Sequence, residues 1–116
     1  QTPETSMVQQ KVETSVGQGT FICEAALWTM WTHVGTVEAS MVTELMRIGA
    51  AEMVSVLQKN QVIFLLSADY ARSFTSRLQT TLPPVADWPN DVHIPFTDYA
   101  HTVLTMSRES RILIGL

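Results

Sequence analysis

At 116 residues the chain is long enough for one domain with a single core, and 46% of it is hydrophobic, within the range of sequences that fold. Charged residues make up only 16%, the net charge is −4 and seven basic residues are scattered along the chain, a poor footprint for neutralising phosphates. One cysteine, Cys23, rules out an internal disulfide and a cysteine-rich zinc module, and no apolar run reaches the ~18 residues of a membrane span.

A surface this poor in charge suits a protein partly covered by another copy or another protein. The chain opens on Gln1, which reads as an excised fragment, a processed product or a trimmed chain. A lone thiol fits a reducing, intracellular compartment. No internal repeat or low-complexity segment appears, so residues 1–116 are expected to form a single helical domain.

The first element is a helix within residues 1–19, with Thr2 as N-cap, Pro3 at the first helical position and Gly17 and Gly19 beyond its end. Its apolar stripe (Met7, Val8, Val12, Val16) is thin, so it is expected to fray. The stretch Thr20 to Val34, containing "EAALWTMWTH", has apolar residues on every side of a helical wheel. That pattern predicts a buried helix, with Trp28 and Trp31 as core or interface packing.

Gly35 interrupts, and Thr36 is placed to cap a long helix running to about Asn60. Its apolar arc includes Met41, Val42, Leu45, Met46, Ile48, Met53 and Leu57, and Glu52 falls inside it. "QVIFLLSADYARSFTSRL" reads as a helix, with Ile63, Leu66, Tyr70, Phe74 and Leu78 on one face and Asp69, Arg72, Thr75, Ser76 and Gln79 opposite. The β-branched Val62 and Ile63 leave a strand over 62–66 as the alternative. Residues 80–96 hold Pro83, Pro84, Pro89 and Pro95 and form a long, ordered, proline-stiffened loop. Thr97 then caps a last helix carrying Tyr99, Val103 and Met106. The apolar tail "RILIGL" either docks on the core or adds a strand, at 111–115, to a neighbour. The fold expected is therefore a mainly α, compact bundle of about four to five helices with a long Pro-rich loop before the last. The alternative is α+β, with short strands at 62–66 and 111–115.

Motifs that carry chemistry are scarce. On one continuous helix His33 would lie about 15 Å from Cys23 by the 1.5 Å rise per residue, too far to act with it. His93, Asp98 and His101 match no metal-ligand spacing, and Pro95 breaks the helix that would present them. Asp87 and Asp91 are the loop's carboxylates, and Asp98 suits the first turn of the last helix. Phosphate-binding glycine loops, nucleophile elbows and zinc-protease motifs are absent. No catalytic, cofactor-binding or metal residue is therefore assigned, and no cofactor or metal is expected.

The reading that results is a non-enzymatic protein–protein interaction and assembly module. It would be a small subunit, structural or accessory protein of a larger complex, such as a viral or phage particle, that oligomerises or binds a protein partner. Its contact residues would be Trp88, Pro89 and His93 in the stiff loop and Ile112 and Leu113 in the tail. One alternative is a small enzyme or ligand-binding domain whose site is assembled from His93, Asp98, His101 and Cys23. Another is a nucleic-acid-associated protein, which the sparse basic residues disfavour.

Overall fold

In the computed structural model of the chain, residues 13–115 are described. Five helices follow in order: α1 (Ala25–Trp28), α2 (Ala50–Leu57), α3 (Gln61–Thr80), α4 (Tyr99–Leu104) and α5 (Arg108–Leu113). The fold is mainly α. Residues 62–66 lie inside α3 and 111–113 inside α5, and no strand occurs among the described residues, so the α+β alternative fails.

Helix α3 is the axis of the structure, 20 residues without glycine or proline. Its start is set by Asn60, whose side-chain oxygen accepts from the Ile63 amide at 3.2 Å. Asn60 thus opens α3, where the sequence suggested it would close the helix before. The end comes at Thr81, two residues before Pro83. The 3.6-residue period turns Asp69, Ser73 and Phe74 inward and leaves Leu66, Tyr70 and Leu78 half-buried. Asp69 was expected on the solvent side.

The reason for its burial lies in the helices that return. Where one last helix was expected, the chain breaks at Thr105–Met106 and restarts at Ser107, whose hydroxyl caps α5 by accepting from the Ser110 amide at 3.2 Å. Asp98, not Thr97, occupies the N-cap of α4. Asp69 Oδ2 accepts the Ser107 amide at 3.0 Å, so α3 supplies a carboxylate to the positive end of α5. Beside it Ser73 Oγ donates to the Thr102 carbonyl at 2.7 Å and is bonded to the Thr105 hydroxyl. Phe74, Val103, Met106 and Ala25 are the buried apolar side chains among the described residues. The core is small and half polar, made where α3 meets α4 and α5.

Two long expected helices are much shorter. Thr20–Val34 forms only the single turn α1, while Phe21 and Met30 are 84% and 98% exposed. Cys23 has a left-handed backbone (φ 61°) and Thr29 is extended, which bounds the turn on both sides. Beyond it, Trp31, Thr32 and Val34 have weak helix propensity, and the Trp31 indole and the Val34 amide bond to the Asp91 carboxylate instead. Thr36–Asn60 retains only α2, which starts after the extended Gly49. Residues 37–48 are irregular and exposed, because an amphipathic helix is held mainly by what its apolar face packs against. Glu52, expected within the apolar arc, is exposed in the first turn of α2. Of the helix expected within 1–19, residues 1–12 lie outside the described residues, and 13–17 are non-helical with a turn at Gln18–Gly19. Among the described residues of the tail there is no strand, and Ile112 and Leu113 are exposed on α5 and not docked on the core.

Candidate functional site

The proline-rich loop is ordered by its own polar groups. Asn90 Oδ1 accepts the amides of Val92 (2.9 Å) and His93 (2.8 Å), and the Asn90 amide donates to the His93 carbonyl at 2.9 Å. Asp91 stands inside this turn. Its carbonyl accepts the Cys23 amide at 2.7 Å, pinning the loop to the left-handed residue that opens α1.

The Asp91 carboxylate then gathers the segment that follows α1. Oδ1 accepts from Trp31 Nε1 at 2.6 Å and lies 3.1 Å from His33 Nδ1, while Oδ2 accepts the Val34 amide at 2.7 Å. The Asp91 side chain is 8% exposed and the His33 ring 62% exposed. Cys23 Sγ, a ring nitrogen of His33 and an Asp91 oxygen all lie within 4.8 Å of one another. This corrects the expectation that Cys23 and His33 stand about 15 Å apart. The helix stops at Thr29 and the chain doubles back around the carboxylate.

A second carboxylate, Glu24, accepts from Trp28 Nε1 at 3.2 Å and from the Tyr70 hydroxyl at 3.4 Å. Trp28 and Tyr70 are tilted against each other at 5.0 Å, and Tyr70 stacks on Tyr99 at 6.4 Å. Burial, followed by the Glu24 charge, pushes the Tyr70 hydroxyl above its ordinary value. Both early tryptophans are thus half-buried and tethered through their N–H groups.

The geometry is unsuited to a cysteine nucleophile. Burial, and then the neighbouring Asp91 charge, push the Cys23 thiol up, the reverse of what nucleophilic activation needs. Nor do Cys23, His93, Asp98 and His101 assemble into one site. Asp98 pairs with His101 one helical turn away, and the hydrogen bond from that ring holds the Asp98 carboxyl below its ordinary value. Cys23 belongs to the Asp91 group. His93 lies on a groove of about 540 Å³ lined by Pro83, Pro84, Val85, Ala86, Asp87, Trp88, Pro95 and Phe96. Trp88 is 38% exposed there and Pro89 half-buried, while Ile112 and Leu113 stand on α5.

Sequence reasoning missed Asp91 as an organising residue. The available signal was "PND": an asparagine that turns the chain after proline, next to an acid. What it lacked was the partner, since Trp31, His33 and Val34 are 57–60 positions away. Fold and site together define a mainly α chain organised about an aspartate-centred Cys–His–Asp group. No known protein family, curated protein or solved structure matches it.

Proposed function

We propose that this chain is an assembly module, a small subunit that completes its core against a second copy of itself. The observation that carries the reading is unburied apolar surface. Four hydrophobic side chains are buried among the described residues, while 23 large ones are exposed. The exposed set includes Val37, Met41, Val42, Leu45, Met46 and Ile48 in succession. The accessible surface is 9553 Å². A compact monomer of this mass exposes roughly 6300 Å². The excess is on the scale that obligate interfaces bury, and a run of exposed apolar side chains such as 37–48 is the kind of surface that marks a binding site.

In this reading residues 37–48 form the helix that their spacing encodes only when a partner covers it. Trp88, on a loop stiffened by proline, is the second anchor, since a rigid aromatic loses little entropy on docking. The α5 pair Ile112 and Leu113 extends the contact.

The test is mass in solution by light scattering across a concentration range. The expected result is a species heavier than one protomer that reverts toward monomer in Val42→Lys/Leu45→Lys. A monomer at every concentration, with the amides of 37–48 already protected from exchange, would overturn the reading.

A further inference from the structure

We infer that Cys23, His33 and Asp91 form a binding site for one divalent transition-metal cation of the zinc class. Thiolate, imidazole and carboxylate are the three side-chain types that zinc takes as ligands. Tetrahedral zinc with ordinary bond lengths separates such donor atoms by roughly 3.4–3.6 Å. The three donors here lie within 4.8 Å of one another, and His33 Nδ1 and Asp91 Oδ1 are already 3.1 Å apart. Adjustments of a few tenths of an ångström on the imidazole–carboxylate side and at most about 1.4 Å at the thiol bring all three onto one ion.

Two further features are those of a ligand set and not of a chance cluster. The carboxylate is held from outside by Trp31 Nε1 and the Val34 amide, the outer-shell bonds that orient a ligating aspartate. The two segments bearing the ligands are fastened to each other by the Cys23 amide on the Asp91 carbonyl at 2.7 Å. Three protein ligands leave one position of a tetrahedron for water. Binding displaces the Cys23 thiol proton to solvent, so thiolate and carboxylate together balance the charge of the cation and the imidazole stays neutral.

The probe is cobalt(II) chloride added to chelator-treated full-length chain, followed by zinc chloride in competition. The expected result is one equivalent bound, with thiolate-to-cobalt charge-transfer absorption and the visible bands of a tetrahedral ion, both erased by zinc. Cys23→Ser abolishes the charge-transfer absorption. Trp31→Phe, which removes the outer-shell donor, weakens cobalt binding by about 10–100-fold, and His33→Ala, at an exposed position, removes a ligand outright and weakens it further than Trp31→Phe does. Circular dichroism confirms that each variant keeps its helices. A spectrum that stays that of the aqueous ion, or tetrahedral binding untouched by Cys23→Ser and His33→Ala in folded protein, would overturn the assignment. Because the readout is a property of a single chain, it fails or succeeds independently of self-association.

Discussion

At the scale of single residues, two buried carboxylates do most of the organising. Asp91 receives Trp31, Val34 and His33 at once, so Asp91→Asn turns an acceptor into a donor facing donors. The expected loss is about 2 kcal/mol, with a red shift of tryptophan emission as Trp31 is released, measured by urea denaturation followed by fluorescence. Asp69 titrates differently from an ordinary carboxylate. Burial alone would raise it, but the Ser110 and Ser107 hydroxyls, the Ser107 amide and Arg72 outweigh burial and hold it below its ordinary value of 3.8. A depressed folded value favours the charged form, so this contribution is complete at neutral pH. It disappears as pH falls below 3.8 and through the folded value. Thermal melts at pH 7 and pH 3 should show the wild type losing more stability than Asp69→Asn, whose side chain has no proton to gain.

At the scale of elements, the contrast between α3 and the segment before it is instructive. Both carry helical periodicity, but α3 has an asparagine cap, an uninterrupted run and a partner in α4 and α5. Phe74 is its most deeply packed side chain, at 0% exposed. Phe74→Ala should cost about 3–5 kcal/mol, enough to abolish the cooperative melt of a small domain, which calorimetry would register. Residues 37–48 have the period without the partner and stay irregular. Trifluoroethanol titration of the isolated 36–60 peptide should recover the helix that the spacing encodes, extending well N-terminal of Ala50. Chemical shifts confined to 50–57 would show that Gly49 blocks it outright.

At the scale of the whole molecule, the chain is more open than its length requires. Its radius of gyration is 15.9 Å, against about 13 Å for a compact chain of this length. Shortage of buried apolar area is a thermodynamic statement: ordering the backbone is offset mainly by burial, and the four apolar side chains buried among the described residues offset little. Stability should therefore rise with protein concentration, as it does when folding and association are linked. Melting temperatures recorded over a hundredfold concentration range test this. A constant value would separate the exposed apolar surface from the folding reaction. Trp88→Ala should lower the concentration dependence while leaving helical content in place.

The helical class, the length of α3, the proline-stiffened loop and the scarcity of charge were readable from Gln61–Thr80, Pro83–Pro95 and the composition, because propensity, period and punctuation act over a few neighbouring residues. Where α1 stops, why Asp69 turns inward, and that Cys23, His33 and Asp91 share one place depended on the tertiary structure. Those outcomes hang on hydrogen bonds between residues 38 to 68 positions apart. Over such distances a chain's local preferences are overruled by whichever buried donor finds an acceptor, and no periodicity in the sequence records that pairing.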